Sequence, residues 1–345
     1  MKIAIIGATG YGGVELIRIL NQHPRVTIHS LHSSSQQGQN IYNSYQHLQN
    51  VVEHTLEDIQ PEELASQVDL VFTATPSGVS AKLVPELLQA GLRVIDLSGD
   101  YRLKNSKTYQ KWYNLEPGDE NTLEKAIYGL TEWVEEDMTQ AQLVSNPGCF
   151  PTAILLGLAP LMKNKVIDEH SIIIDAKTGV SGAGRSATAT THFPETNDNI
   201  KIYRVNEHQH IPEIEQMLGI WNENSQPITF STHLVPMTRG IMATMYANVA
   251  TDTNIEELFH LYKESYKDHY FVRIKDQEIF PSTKEVYGSN FCDISLAYDK
   301  RTNRITVVSV IDNLMKGAAG QAVQNMNKMI GIDEKTGLEF LPIYP

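Results

Sequence analysis

The chain has 345 residues, and its 28 Lys and Arg against 41 Asp and Glu give a formal net charge of −13. This length predicts two domains with a substantial core, and 41% apolar with 20% charged residues argues against extensive disorder. The acidic balance argues against nucleic acid or an anionic membrane as partners, and two cysteines exclude a disulfide framework.

Neither the start of the sequence nor its longest apolar stretch suggests secretion or membrane insertion. The chain begins directly with an apolar strand pattern and lacks the apolar region of a signal peptide. The longest apolar stretch, 153–162, is too short to cross a bilayer. We therefore expect a soluble protein of the reducing cytoplasm.

The first half of the chain alternates strand and helix patterns. Strands are predicted at 2–6, 26–31, 69–74, 93–97 and 142–145, and helices at 14–20 and 79–89. Gly91 is placed to end the second helix in a left-handed cap, whereas 61–67 is mostly polar and has no predicted element. This alternation predicts a parallel sheet with right-handed crossovers.

The pattern changes near residue 150. A helix is predicted from Cys149 to about 162 and another at 255–266, with strands at 171–176, 228–235, 241–250, 270–274, 291–297 and 304–311. Successive strands favour a mostly antiparallel sheet with helices on one face. We therefore predict an α/β domain over 1–148 and an α+β domain over 149–314, with a small-residue-rich final helix, about 315–330, packing back on the first.

A glycine-rich turn lies between the first strand and the first helix. Glycines there permit a tight turn and close approach of backbone N–H groups to a pyrophosphate, which the helix N-terminus also attracts. The spacing is G-x-x-G-x-x-G rather than G-x-G-x-x-G. In this context we predict a Rossmann-type dinucleotide site with contacts from Gly7, Thr9, Gly10, Tyr11, Gly12 and Gly13.

The second strand indicates which dinucleotide binds. An NAD site usually has an acidic residue about 20 residues after the glycines, but none occurs between Glu15 and Glu53. The strand ends instead in Ser33, Ser34 and Ser35. Three hydroxyls without a carboxylate favour the 2′-phosphate of NADP(H), although the arginine often found at such a site is absent from this loop.

Cys149 lies in the turn Asn146-Pro-Gly-Cys-Phe-Pro151, directly before an apolar helical run. Free N–H groups and the dipole at a helix start stabilise a thiolate and can hold a developing oxyanion. We therefore predict that Cys149 is a nucleophile, with Asn146 as a second donor. Cys292 lies in an apolar strand and is predicted to be a core residue.

Two histidines, His208 and His210, precede a helix that enters at Pro212. One of them is a candidate acid/base partner for Cys149. If the segment is extended, the two rings face opposite ways and only one reaches the thiol. A solvent-exposed pair and a metal pair are the alternatives, and no third ligand with metal spacing is evident, so we predict no metal.

A second glycine-rich turn and several basic residues are candidate anion sites. The turn 177–185 resembles an anion-binding nest, and we assign its Ser181 and Gly182 to the cofactor. The predicted substrate contacts are Arg102, Lys201, Arg204, Glu213 and Arg239.

Seven blocks of the sequence resemble the N-acetyl-γ-glutamyl-phosphate reductase family, NADP-dependent enzymes of arginine biosynthesis. They are GATGYGG, DLSGDYRL, SNPGCFPTA, KTGVSGAGR, NEHQHIPEIEQ, HLVPMTRGI and DNLMKGAAGQAVQN, and they span almost the whole chain. The resemblance implies a two-domain fold like glyceraldehyde-3-phosphate dehydrogenase and a homodimer or homotetramer. It places the nucleophile on Cys149 and the acid/base histidine within 208–210, for which we favour His210.

The implied reaction is reduction of an acyl phosphate to an aldehyde through a thioester on Cys149. Related reductases of N-acetyl-aminoadipyl or aspartyl phosphate, a catalytically inactive NADP sensor and a zinc-binding protein are alternatives. Aspartate-semialdehyde dehydrogenases place their histidine after a V-P-x-x-x-G block, where this chain has Ile241. That departure counts against the aspartyl substrate.

Overall fold

The apolar segment at the start of the chain forms a buried central strand, β1 (Lys2–Ile6). Its Ile3, Ala4 and Ile5 have no solvent exposure. The computed structural model describes residues 1–345. They divide into two units, Met1–Pro147 with Ala318–Glu339, and Gly148–Gly317 with Phe340–Pro345.

The first unit is a parallel sheet flanked by helices. Its further strands are β2 (Thr27–His32), β3 (Leu56–Glu57), β4 (Leu70–Thr73), β5 (Arg93–Asp96), β6 (Ala126–Tyr128) and β7 (Leu143–Ser145). Its helices are α1 (Tyr11–Leu20), α2 (Ile41–Ser44), α3 (Pro61–Gln67), α4 (Ser80–Gln89), α5 (Ser106–Tyr113), α6 (Glu120–Lys125) and, from the end of the chain, α11 (Gly320–Met329).

The strand order of this sheet is β3-β2-β1-β4-β5-β7-β6, and every neighbouring pair is parallel. The predicted parallel sheet is therefore confirmed. The order reverses at β1, which pairs with both β2 and β4. Ligands of such sheets bind at this switch point, beyond the carboxyl ends of the strands, and the glycine-rich turn follows β1 there.

Two local predictions in the first unit have different outcomes. Gly91 has φ +90° after the end of α4, which confirms the left-handed cap. The polar stretch Pro61–Gln67 forms α3, an element that the sequence analysis missed. Pro61 opens this helix, and Glu62 and Glu63 lie in its first turn, where their charge favours the positive end of the dipole.

The second unit is built on a mixed sheet. Its strands are β8 (Ile173–Thr178), β9 (Lys201–Tyr203), β10 (Thr229–Leu234), β11 (Ile241–Asn248), β12 (Val272–Ile274), β13 (Cys292–Asp299) and β14 (Arg304–Ile311). Its helices are α7 (Cys149–Lys163), α8 (Phe193–Thr196), α9 (Ile211–Trp221) and α10 (Ile255–Tyr266). The strand order is β12-β13-β14-β11-β8-β10-β9, and only β8–β10 and β12–β13 are parallel pairs, so the mostly antiparallel sheet is confirmed.

Helix α7 is the core of the second unit. Every residue from Phe150 to Met162 is buried, as expected for a helix that is apolar all round. It packs against β11, β14 and α9. Strands β8, β10 and β11 alternate buried side chains with half-exposed ones. One face of this part of the sheet is therefore buried, and the opposite face is half-exposed.

The predicted final helix is not a single α-helix. Residues Met315–Ala319 form a π-helical turn, and the α-helix α11 begins only at Gly320. The N–H of Gly317 donates to the carbonyl of Asp312, the i to i−5 bond of such a turn. None of the helices in the structure has the length and apolar character needed to cross a membrane.

Candidate active site

The glycine-rich turn after β1 requires glycine at two positions. Gly7 has φ +85°, and a Cβ there would lie 2.3 Å from the carbonyl oxygen of Ala74. A Cβ on Gly13 would lie 2.3 Å from the carbonyl oxygen of Gly7. Gly12 is under no such constraint, because an added Cβ would meet only the Ala74 side chain at 3.9 Å.

Helix α1 begins directly after this turn, with Gly10 as its N-cap and Tyr11 as its first residue. Gly10 has no side chain, so no side-chain bond caps the first N–H groups of α1. A glycine turn followed by an uncapped helix start suits a bound pyrophosphate. The residues of this turn therefore fit a dinucleotide.

Hydroxyl groups meet beside this turn at the end of β2. The Oγ of Ser33 lies 3.4 Å from Oγ1 of Thr9 and 3.5 Å from Oγ of Ser35. Ser34 is exposed next to them, and the hydroxyl of Tyr45 donates to the carbonyl of Thr9. The structure thus brings Thr9 and two of the three predicted serines together, and their hydroxyls can bond a phosphate.

Hydrogen bonds within the first unit fix the side chain of Asn146. Its Nδ2 donates to the carbonyl of Ala318, and its Oδ1 accepts from Nδ2 of Asn325. The guanidinium of Arg102 donates through Nε to the backbone carbonyl of Asn146 and through Nη2 to that of Leu97. These bonds give Asn146 and Arg102 a structural role inside the first unit.

An aspartate that the sequence analysis missed orders the start of α4. The carboxylate of Asp100 accepts from the N–H groups of Gly78 and Ala81 and from the hydroxyl of Tyr109. The DLSGDYRL block supplies this residue two positions before Arg102. The signal in the sequence was the block itself, because the backbone partners of Asp100 lie 19 to 22 residues away.

Cys149 is the first residue of α7, as predicted. Its N-cap, Gly148, has φ −65° and no side chain to cap the helix. The N–H of Gly148 itself donates to Oε1 of Glu213, in the first turn of α9, at 2.8 Å. Glu213 has no solvent exposure.

The two histidines lie side by side rather than on opposite faces. The segment before α9 turns back on itself, so the extended geometry that would separate the rings is absent, and the ring centroids are 4.7 Å apart. His208 is enclosed by Phe150, Tyr203 and Phe230, with ring centroids 5.4 to 5.8 Å away. Phe150, next to Cys149, also lies 6.1 Å from the His210 ring.

Burial, together with the smaller effect of the positive charge of Arg204, lowers the pKa of His208 to about 3. Its Nδ1 accepts the backbone N–H of His210 at 3.1 Å, so the proton of the neutral ring lies on Nε2. His208 therefore stays uncharged and fixes the backbone of His210, which is the N-cap of α9. No group of three His, Cys, Asp or Glu side chains in the structure is arranged to hold a metal ion.

Tyr203 is a further residue of this environment that the sequence analysis missed. Burial raises its pKa, and the nearby Cys149 raises it further, so the phenol keeps its proton. Tyr203 ends β9 and packs edge-on against His208. Nothing in its local sequence distinguishes this tyrosine from the other 14.

Two loops of the second unit are joined through Asn313. Its Oδ1 accepts from the N–H of Gly240, and its Nδ2 donates to Oγ of Ser181. Gly182 follows in a 3-10 turn, where an added Cβ would lie 3.1 Å from Oγ1 of Thr178. The predicted turn around Ser181 is therefore held against the loop that carries Arg239.

The basic residues of the second unit differ in burial. Arg239 has a side chain 20% exposed, with Nη1 3.6 Å from the buried carboxylate of Asp312. Arg204 is exposed, and its Nη1 donates to Oε1 of Gln209. Lys201 is exposed on β9. The positive charge of Arg204 acts electrostatically on His208.

Two family descriptions match the chain. Residues 2–141 match "Semialdehyde dehydrogenase, NAD binding domain" and residues 149–313 match "Semialdehyde dehydrogenase, dimerisation domain". Among curated proteins, N-acetyl-gamma-glutamyl-phosphate reductase of Bacillus cytotoxicus is 61% identical and that of Geobacillus sp. 60% identical. Both alignments cover all of this chain and all of the relative.

Solved structures share the fold at low identity. Aspartate semialdehyde dehydrogenase II of Vibrio cholerae, in complex with ASA, has a TM-score of 0.72 at 19% identity, covering 96% of this chain and 98% of that chain. Aspartate semialdehyde dehydrogenase of Candida albicans, with NADP, has a TM-score of 0.68 at 17% identity, covering 96% and 99%. At these identities the likeness supports the fold alone.

Proposed function

Because the chain belongs to the N-acetyl-gamma-glutamyl-phosphate reductases, within the semialdehyde dehydrogenase family, we propose that it performs that reaction. The reaction is the NADPH-dependent reduction of N-acetyl-γ-glutamyl phosphate to N-acetylglutamate 5-semialdehyde and phosphate, in arginine biosynthesis. The observation that carries the proposal is Cys149 at the start of α7, with the histidine-bearing first turn of α9 joined to it through Gly148.

Cys149 acts as the nucleophile in this proposal. Its thiolate Sγ attacks the acyl carbon, the bond to the phosphate oxygen breaks, and a thioester forms as phosphate leaves. After reduction, the carbon–sulfur bond breaks, which releases the aldehyde and restores the thiolate. The covalent thioester divides one difficult displacement into two easier steps.

His210 is the proposed acid/base. It removes the proton from Sγ before attack and handles the proton on the oxygen of the tetrahedral intermediate. His208 holds the backbone of His210 and stays neutral. Tyr203 keeps its proton beside Cys149, so it adds no negative charge there.

The residues of the first unit fit NADPH, which when bound supplies the hydride for the thioester. Gly7, Gly10 and Gly13 allow the pyrophosphate to approach the start of α1. Ser33 and Ser35, with Thr9, offer hydroxyls to the 2′-phosphate. We extend the cofactor site to Tyr11, Gly12, Ser34, Ser181 and Gly182, and the substrate site to Arg204, Arg239 and Lys201.

We also propose that the protein is a cytoplasmic homodimer or homotetramer. The second family description names a dimerisation domain over residues 149–313. Cys149 and Cys292 form no disulfide, and a reducing compartment keeps the nucleophilic thiol available.

The reverse reaction tests this function directly. The purified enzyme is incubated with N-acetylglutamate semialdehyde, phosphate and NADP⁺, and NADPH formation is followed, with aspartate and N-acetyl-aminoadipate semialdehydes as competing substrates. We expect turnover with the first aldehyde, its loss in Cys149→Ala, and its retention in Cys292→Ala. Faster turnover with either other aldehyde, or an active Cys149→Ala enzyme, would contradict the proposal.

A further inference from the structure

The side chain of Glu213 is hydrogen bonded to the backbone of the turn that carries Cys149. Its carboxylate is fully buried, and Oε1 accepts the N–H of Gly148, 65 residues away in sequence, at 2.8 Å. The N–H of Gly148 is one of the backbone donors at the start of α7 that have no partner within the helix, and a side chain from another helix accepts it. Hydrogen bonds from a backbone N–H to an ionised carboxylate are among the stronger ones in proteins.

The same helical turn also carries the proposed acid/base. His210 is the N-cap of α9, and Glu213 lies three residues later, so both lie on one face of the helix. The bond from Gly148 to Glu213 therefore joins the peptide next to the thiol to the turn next to the imidazole.

We propose that Glu213 is a positioning residue that holds the Cys149 and His210 turns together, rather than a contact for the substrate. The proposal rests on the proposed function in that Cys149 is taken as the nucleophile. A buried carboxylate is also a poor partner for an anionic acyl phosphate, since like charges repel.

The position of Glu213 has an electrostatic consequence. A negative charge at the start of α7 opposes a second negative charge there, so it disfavours the Cys149 thiolate. Glutamine keeps an oxygen that can accept from Gly148 and removes the charge, whereas alanine removes both. Glu213→Gln and Glu213→Ala thus separate the effect of position from the effect of charge.

The experiment measures kcat, KM and the pH dependence of Cys149 alkylation by iodoacetamide, with Cys292→Ala as the background so that only one thiol reacts. We expect Glu213→Gln to keep most of its kcat, with alkylation shifted to lower pH. Glu213→Ala should lower kcat by about 10–100-fold with little change in KM, because small misplacements of reacting groups cost that much.

Glu215→Gln is the matched control. Glu215 is on the same helix, but its Oε1 accepts the backbone N–H of Ile228 at 3.1 Å, so it bonds a different segment from the one that carries Cys149. The same loss of charge there should leave both kcat and the alkylation profile unchanged.

A normal kcat in Glu213→Ala would overturn the positioning role, and so would a raised KM with an unshifted alkylation profile in Glu213→Gln. If Glu213→Ala does not fold, the glutamine variant decides: an unchanged KM with a shifted alkylation profile supports the proposal, and a raised KM with an unshifted profile overturns it. That profile requires no turnover, so an enzyme inactive on N-acetyl-γ-glutamyl phosphate would refute the proposed function without removing this test.

Discussion

His208 and His210 have the same side chain but different surroundings. His208 is enclosed by three aromatic rings and accepts a backbone N–H, so protonating it would both bury a charge and break that bond. Its low pKa therefore removes it from proton transfer near neutral pH. His210 is therefore the proposed acid/base of the pair.

We expect His210→Asn to lower kcat by about 10²–10⁴-fold, the usual contribution of a general acid/base. His208→Asn should have a much smaller effect, because the asparagine oxygen can still accept the N–H of residue 210. Steady-state kinetics of both variants checks this. A larger loss of kcat in His208→Asn than in His210→Asn would make His208 the acid/base instead.

His208 also predicts how stability depends on acid. Its pKa is about 3 in the folded protein against 6.5 in an unfolded chain. The unfolded state therefore binds more protons between these values, and the free energy of unfolding falls as pH drops from about 6.5 towards 3. His208→Asn removes this contribution, so its melting temperature should fall less than that of the wild type across that range.

Other histidines also have lowered pKa values, so they too contribute to the acid dependence of the stability of the wild type. Burial lowers the pKa values of His23, His32 and His54. The informative quantity is thus the difference between wild type and His208→Asn at each pH. An identical acid dependence of the two melting temperatures would mean that His208 is accessible to protons in the folded state.

At the scale of secondary-structure elements, helices with long apolar patterns were predictable from the sequence, and short polar helices were not. Helices α7 and α10 begin where the sequence places them, because their apolar faces repeat over 12 or more residues. Helices α3 and α5 bury one residue each, Leu64 and Tyr109. Their sequences therefore have no repeating apolar pattern from which a helix could be predicted.

The candidate site was predictable only where its chemistry is local. Cys149 and the glycine turn carry their signals within a few residues. The bond from Gly148 to Glu213 joins residues 65 apart. The electrostatic effect of Cys149 on Tyr203 likewise links residues that are far apart in sequence. Only the fold brings such partners together.

The π-helical turn Met315–Ala319 places Gly317 against Cys149, the proposed nucleophile. A Cβ on Gly317 would lie 2.8 Å from Cβ of Cys149, which is closer than two side chains can approach. We expect Gly317→Ala to push Cys149 out of place and to lower kcat by about 10²-fold, the cost of roughly 1 Å of misplacement.

Gly219→Ala is the control for that substitution. Gly219 lies in α9, and a Cβ there meets no atom within 4 Å. This variant should keep its kcat and gain about 0.5–1 kcal/mol of stability, because alanine favours a helix interior over glycine. Equal kcat values for Gly317→Ala and wild type would show that the turn can move away from Cys149 without loss.

The end of β2 predicts the choice of cofactor. An aspartate at Ser33 would place a carboxylate beside Thr9 and Ser35, where the 2′-phosphate is proposed to bind. Charge repulsion should raise the KM for NADPH by about tenfold or more while leaving that for NADH nearly unchanged. Ser66→Asp, on the exposed side of α3, is the control. Equal use of NADH and NADPH by the wild type would contradict this assignment.

At the scale of the whole molecule, net charge constrains association. Each chain carries −13, so two copies repel unless their contact surface is locally balanced. On the half-exposed face of β8, β10 and β11, negative and positive groups lie close together. Asp175 lies 2.6 Å from Nζ of Lys177 and 3.1 Å from Nδ1 of His233.

We therefore expect this sheet face to join two copies of the chain. Thr244 lies near the middle of it, paired with Asp175 across β8 and β11. Thr244→Arg would add a bulky charge there and should convert a species of at least twice 38.7 kDa into one of a single chain, as measured by light scattering. Thr302→Arg, in the exposed turn between β13 and β14, should leave the mass unchanged. If Thr244→Arg keeps the wild-type mass while remaining folded, the copies meet through another surface, and the balanced charges on this face serve the single chain.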